Sequence, residues 1–220
     1  MNWNDEYAGN RKIWGDVPSE LAIIMVDYLR QNTLDKSRLV VLDIGCGYGR
    51  DEIYLSKHLN CHIKAIDSSQ EAISAAQNAV SGLKMENIDF AVCNFTELAP
   101  DKYDVVFVSN LYHSLKQHER AQLRGKLKNL LRAESMLFLN ALSVNDPEEY
   151  GKGAAVENEV HSFQGKKYLH FYTGEDLRGD FDFLNVRELY EHKYEEPHYQ
   201  GKTHHHVSWI LIGQKPDGGR

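Results

Sequence analysis

The chain predicts an α/β fold: a seven-stranded, mostly parallel sheet with helices on both faces and an antiparallel hairpin at its C-terminal end. Three observations carry this reading. Short apolar runs alternate with helix-patterned segments from about residue 38 to residue 141. One of those runs, Leu39 to Leu42, ends in an acid and enters a turn with glycine at alternate positions, Gly45, Gly47 and Gly49. The last two strand-like stretches have no helix between them, which makes them neighbours running in opposite directions.

Residues 1–18 read as irregular and carry Trp3, Tyr7, Trp14 and Pro18. Ser19 caps a helix over 20–31, with Leu21, Ile24, Met25 and Tyr28 on one face. A buried strand covers 38–44, and a helix follows the glycine turn over 50–59. The second strand, His62 to Ile66, ends in Asp67, and Ser68 with Glu71 forms a capping box for a helix to about Ser81. The third strand spans 88–93 and the fourth, rich in valine, Tyr103 to Val108. A helix over 117–131 sets Leu123, Leu127, Leu130 and Leu131 in register, ahead of a fifth strand at 135–141. The polar stretch 143–168 reads as irregular. Thr173 and Asp176 start a short helix ending near Asp180, and strands at 183–192 and 205–213 finish the sheet. All 220 residues form one domain, long enough to bury a substantial core.

Composition narrows the function. Lys and Arg number 25 against 32 Asp and Glu, a net charge of −7. An acidic chain without a Lys/Arg block is a poor candidate for gripping nucleic-acid phosphates. Three cysteines, Cys46, Cys61 and Cys93, without a CxxC pair, argue against a disulfide framework or a structural zinc knot. Cys46 and Cys93 read as small packing residues. The polar, acidic Met-Asn-Trp-Asn-Asp-Glu start is unlike a signal peptide, and no apolar run approaches the ~20 residues that span a bilayer. The expectation is a cytoplasmic protein.

The glycine turn proposes a nucleotide-like ligand and discriminates among them. A phosphate-binding loop needs Lys and Ser/Thr after its glycines, and neither is present. The dinucleotide fingerprint is G-x-G-x-x-G, whereas here the third glycine arrives one residue early. Asp43, inside the strand end, repels a pyrophosphate but suits an amine. Asp67, ending the second strand, stands where nucleotide folds place a ribose-binding carboxylate. Together these residues describe S-adenosylmethionine, which joins an adenosine to a cationic methionine tail.

On Asp43-Ile-Gly-Cys-Gly-Tyr-Gly49, Asp67 and the strand order ending in a hairpin, the chain resembles the class I S-adenosylmethionine-dependent methyltransferases, whose fold is Rossmann-like. The resemblance implies that the backbone at Gly45, Gly47 and Gly49 approaches the methionine moiety, with Asp43 beneath it helping to hold the ammonium. It implies Asp67 on the ribose hydroxyls with Ser68 beside it. The family usually has an acid at the end of the third strand, facing the adenine amino group. Here Asn94 takes that position, its carbonyl an acceptor for the same bond, with Phe95 to pack on the ring. Ser109 and Asn110 fall beside the transferable methyl. The product is S-adenosylhomocysteine.

The acceptor end is expected at the carboxyl ends of the strands. Tyr112 and His113 follow the fourth strand there, and His198, Tyr199, His204, His205 and His206 lie in or beside the final hairpin loop. Segment 143–168 leaves the fifth strand at the same edge, as an insertion over the active site. The aromatic N-terminal segment 1–18, with Trp3, Tyr7, Arg11 and Trp14, resembles the lid of small-molecule methyltransferases. With His170 to Leu177 and the histidine-rich hairpin, it looks like the thiopurine and tellurite-resistance branch. Three readings of the histidines stay open: a base among Tyr112, His113, His204 and His206, a transition-metal site from His204 and His206 with His198 or His113, or local hydrogen bonding without chemistry. His205 faces away from its neighbours. The site assignment carries no metal. The expected function is methyl transfer to a small-molecule acceptor. The alternatives are a protein or RNA acceptor, or a non-catalytic regulator that binds the cofactor or a metal.

Overall fold

The structure is a computed structural model and describes residues 3–9, 12–32, 34, 37–197 and 203–217. After a short helix α1 (Trp3–Tyr7) and helix α2 (Glu20–Gln31), the chain alternates β1 (Leu39–Ile44), α3 (Arg50–His58), β2 (Cys61–Asp67), α4 (Gln70–Ser81), β3 (Ile88–Val92), β4 (Tyr103–Val108), α5 (Gln117–Leu130) and β5 (Leu131–Leu142). Three short strands follow, β6 (Ala154–Ala155), β7 (Ser162–Gln164) and β8 (Tyr168–His170). Helix α6 (Gly174–Asp180) and the long strands β9 (Asn185–Pro197) and β10 (Thr203–Gln214) end the fold.

The main sheet has the order β3-β2-β1-β4-β5-β10-β9. Strands β1 to β5 pair in parallel, whereas β10 runs antiparallel to both β5 and β9. The carboxyl ends of β1 to β5 therefore share one edge, and the β9–β10 hairpin projects over that edge. The order reverses between β1 and β4, the crevice where open α/β sheets hold their ligands.

Alternation along the strands fills both faces. Val41, Val105, Phe107, Met136, Phe138 and Ile210 pack with α2 and α3 on one side. Leu42, Val106, Val108, Leu137, Leu139 and Leu211 pack with α5 and α6 on the other. This double burial is why the strands read as continuous apolar runs.

Local signals held with four adjustments. Ser19 caps α2, its Oγ accepting from Ala22 N, and Thr173 with Asp176 forms the expected capping box. The cap of α4 is Ser69, one residue beyond the predicted Ser68, because the Asp67 carboxylate takes the Ser69 N–H and turns the chain there. The N-terminal segment contains α1 where irregular chain was expected. Segment 143–168 likewise contains β6 and β7, which with β8, beginning at its last residue, form a small antiparallel sheet. Strand β5 begins directly after α5, at Leu131, rather than near 135. Arg120 on α5 anchors the small sheet by donating to Tyr168 Oη (2.7 Å) and Glu159 Oε2 (3.3 Å). Among the described residues, no helix is long and apolar enough to cross a membrane.

Candidate active site

The glycine turn joins β1 to α3 at the reversal point of the sheet. Gly45 N and Cys46 N donate to Ile66 O, and Gly47 N donates to Asp67 Oδ2 (3.0 Å), tying the turn to the end of β2. Two glycines are needed for different reasons. Gly47 sits at φ +56, and a Cβ there would lie 3.0 Å from Tyr7 Oη, so a side chain would fill the space between turn and lid. Gly49, at φ +83, caps α3; a Cβ there would meet Ala76 and Phe90 at 3.0 Å. It serves packing rather than the pocket.

Nine of the ten predicted cofactor residues line one cavity: Asp43, Gly45, Gly47, Asp67, Ser68, Asn94, Phe95, Ser109 and Asn110. Gly49 is the exception. Each Asp67 oxygen accepts one backbone N–H, from Gly47 and from Ser69, so each keeps acceptor capacity towards the cavity. Burial pushes the Asp67 carboxyl up, opposed by those backbone bonds. Asp43 is 2% exposed, and apart from its neighbour Glu52 its Oδ1 has no donor among the described residues. Asn94 Oδ1 is occupied by Thr96 N (3.0 Å) and Thr96 Oγ1 (2.9 Å), which orients its amide NH₂ as the remaining polar face. Burial pushes the Cys46 thiol well up, in keeping with a packing role.

The N-terminal segment lies over the turn. Trp14 stacks on Tyr48 with ring centres 6.4 Å apart, and Trp14 N donates to Tyr48 Oη (3.1 Å). Arg50 Nη1 donates to Trp14 O (2.9 Å). Lys167, from the small sheet, places its ammonium 5.5 Å from the Trp3 ring and 5.9 Å from the Trp14 ring. Trp3, Tyr7 and Trp14 all line the cavity, while Arg11 lies outside the described residues.

Beyond Asn110 the cavity adjoins a smaller recess lined by Pro18, Ser19, Arg50, Asn110, Asn140 and Tyr194. Asn110, in the left-handed region at φ +54, is held by two bonds with Asn140: its N–H donates to Asn140 Oδ1 (2.7 Å) and its Oδ1 accepts from Asn140 Nδ2 (2.8 Å). Asparagine tolerates that conformation better than most residues.

The four predicted catalytic residues do not line either space. Tyr112 is fully buried: its phenol donates to Asp180 Oδ2 (2.7 Å), accepts from Arg124 Nη1 (2.8 Å), and its ring stacks on Tyr172. It braces α5 and α6, because the turn after β4 directs it inward. His113 is buried too, with Nδ1 unpartnered among the described residues. Burial, then the nearby His206, lowers it to about 3, so it stays neutral. His204 and His206 share a face as expected, rings 6.0 Å apart, and the exposed His205 faces Glu195 instead. His198 and Tyr199 lie outside the described residues. Among the described residues, no three His, Cys, Asp or Glu side chains are placed to hold a metal ion.

The sequence reading missed the group that organises the histidines. Asp146 Oδ2 accepts from Val207 N (2.9 Å) and lies 3.0 Å from His206 Nδ1, while its Oδ1 accepts from Glu148 N and Glu149 N. Burial acts to raise this carboxyl, but His206 and the backbone donors outweigh it and hold it low. Asp146-Pro147 marks a turn in the sequence; nothing local announces a partner sixty residues on. Asn140, Tyr194 and Arg50 were likewise unmarked.

A methyltransferase-domain profile matches residues 41–134, the segment from β1 into β5. The probable (S)-tetrahydroprotoberberine N-methyltransferase 2 of Papaver bracteatum is 29% identical over 107 residues, 48% of this chain and 29% of that protein. The matched stretch thus spans under a third of that relative's length. The structure resembles TehB from Haemophilus influenzae at TM-score 0.69 and 15% identity, covering 96% of this chain and 66% of that one. It resembles Burkholderia thailandensis 1,6-didemethyltoxoflavin-N1-methyltransferase at TM-score 0.69 and 16% identity, covering 98% and 86%. The expected lean towards the thiopurine and tellurite branch becomes a broader statement, since TehB and the 1,6-didemethyltoxoflavin methyltransferase match at the same TM-score of 0.69. The chain has the class I S-adenosylmethionine-dependent methyltransferase fold, an enzyme fold whose cofactor is S-adenosylmethionine, and no single branch stands out.

Proposed function

We propose that the protein transfers a methyl group from S-adenosylmethionine to a small-molecule acceptor, and that segment 1–18 and the insertion 143–168 act as its lids. The observation that carries this reading is the pocket: an acid-floored glycine turn roofed by Trp3, Tyr7 and Trp14. Such a roof suits a small acceptor better than a polymer.

In this reading Asp67 takes the ribose hydroxyls with its remaining lone pairs, and Asp43 faces the methionine ammonium. Phe95 packs on the adenine. Asn94 donates its NH₂ to an adenine ring nitrogen, because its carbonyl already serves Thr96. This reverses the expected polarity of that bond. The acceptor enters the recess between Pro18, Asn110, Asn140 and Tyr194. Tyr194 borders His206, ring centres 5.7 Å apart, and Asp146 orients that imidazole. His206 with Asp146 stands behind Tyr194 rather than on the recess wall, and is the candidate base for an acceptor whose proton reaches it past that ring. His113 assists only as a neutral neighbour, and Tyr112 and His204 act through structure.

The sulfonium methyl is already activated when the cofactor is bound, so the chain's task is alignment and exclusion of water. Alignment alone is worth roughly 7–11 kcal/mol in favourable cases. A metabolite screen that follows S-adenosylhomocysteine formation tests the proposal. Product formation with a small amine, thiol or hydroxyl compound supports it. Activity confined to RNA or protein preparations overturns it.

A further inference from the structure

Beneath the glycine turn two carboxyl groups stand together without conventional partners. Asp43 is the last residue but one of β1 and Glu52 lies in the first turn of α3, and Glu52 is fully buried. Apart from each other, Asp43 Oδ1 and both Glu52 carboxyl oxygens have no side-chain donor among the described residues. Buried polar atoms are ordinarily paired, and the side-chain partner these two carboxyl groups find is each other. A hydrogen bond joins the two side chains, and since an ionised carboxylate only accepts, one of the pair must carry a proton to make it. The ionisable groups acting on the pair are acidic, Asp51 from α3, Asp67 from β2 and the Cys46 thiol from the turn, while the nearby guanidinium of Arg50 lies 4.0 Å from Asp51 and borders the cavity. Burial, then Glu52, pushes Asp43 well up, and burial pushes Glu52 up to about 7.

A proton-sharing pair with a purely structural role would be sealed from the pocket. This one is not, because Asp43 lines the cavity floor. The cavity's proposed ligand brings a positive charge to that floor in its ammonium group.

We propose that Glu52 is a positioning residue for the cofactor's methionine end: with Asp43 it holds one shared proton in the ligand-free protein, and it releases that proton to solvent when the ammonium settles over Asp43. The pair then passes from one negative charge to two, facing one cation. The inference rests on the cofactor reading above and adds to it a proton-linked binding step and a residue outside the glycine motif.

Titration calorimetry on the full chain tests this, with S-adenosylmethionine and separately with S-adenosylhomocysteine. Each titration is run near pH 6 and near pH 8 in two buffers of different ionisation enthalpy. The expected result is release of up to about one proton per ligand near neutrality, with affinity rising by as much as about tenfold per pH unit below the pair's titration. The two ligands behave alike, since both carry the ammonium. Glu52→Gln abolishes the proton release and flattens the pH dependence, while Glu52→Asp retains both. Binding of the native chain without proton release, or release undiminished in Glu52→Gln, overturns the inference and leaves the cofactor reading intact. Release with the sulfonium ligand alone overturns the ammonium pairing. Absence of any binding by the native chain removes both.

Discussion

The two ends of the pocket are assembled from different kinds of chain. At the cofactor end, Asp43, the glycine turn and Asp67 lie within one β-turn-α-β stretch, and Asn94 and Phe95 follow the next parallel strand. At the proposed acceptor end, Asn110 meets Asn140, Asp146 meets His206, and Tyr194 reaches in from the hairpin. The first end is floored by acids and tied by backbone hydrogen bonds. The second is held by side chains whose partners lie thirty to sixty residues away. A pocket of this kind can change its acceptor without disturbing its cofactor, because the two ends share few supports beyond Arg50 and Asn110.

That separation can be broken most decisively at His206. His206→Asn should lower turnover of an acceptor that needs deprotonation by about 10²–10⁴-fold and leave cofactor affinity unchanged. Asp146→Asn should follow in the same direction. A loss of cofactor affinity in either variant would merge the two ends. The converse test is Asp67→Ala. Removing a carboxylate that binds two hydroxyls should weaken cofactor binding by about 10²–10³-fold, or roughly 3–4 kcal/mol, as read by calorimetry. Affinity unchanged within about threefold would remove the proposed ribose role.

A third effect separates the acid floor from the rest of the molecule. Glu52 has a folded value of about 7, above the ordinary 4.5, so the native state holds its proton more tightly than the unfolded chain. Stability from this group is therefore greatest in mild acid and falls as the pH rises from 4.5 through 7. In the ligand-free protein, Glu52→Gln should add on the order of 3 kcal/mol near pH 8 and nothing below the ordinary carboxylate range, as urea unfolding at the two pH values would report. An equal gain at both would show that burial of charge is not its origin. The smallest expected effect is at Tyr112. Tyr112→Phe removes two hydrogen bonds from the Arg124–Asp180 pair and should cost about 1–3 kcal/mol of stability, with cofactor affinity and turnover untouched. A selective loss of turnover in this variant would restore Tyr112 to the chemistry.

The same contrast explains what could be read from sequence. The strands at 39–44, 61–67 and 103–108 were legible to within a residue or two, the first and third as apolar runs buried on both faces and the second by alternation of buried Cys61, Ile63 and Ala65 with half-buried His62 and Lys64. The cofactor end was legible because its chemistry sits on consecutive residues at strand ends. Strands β6, β7 and β8 were not, since two or three residues carry no period. Tyr112 stands at the right edge of the sheet but points into the core, a direction set by the turn that follows β4 rather than by residue type. Asp146 was hidden because its turn is local and its partner is not. Glu52 reads as an ordinary solvent-facing acid on a helix until the fold presses its helix against Asp43.

The central claim is that the acid-floored turn binds S-adenosylmethionine. Titration calorimetry of the full chain with S-adenosylmethionine, repeated with its demethylated product, tests it most directly. Saturable, one-to-one binding of both ligands is expected, lost or sharply weakened in Asp67→Ala. Absence of binding by the native chain at ligand concentrations up to about 1 mM, the upper end of ordinary enzyme affinities, would contradict it.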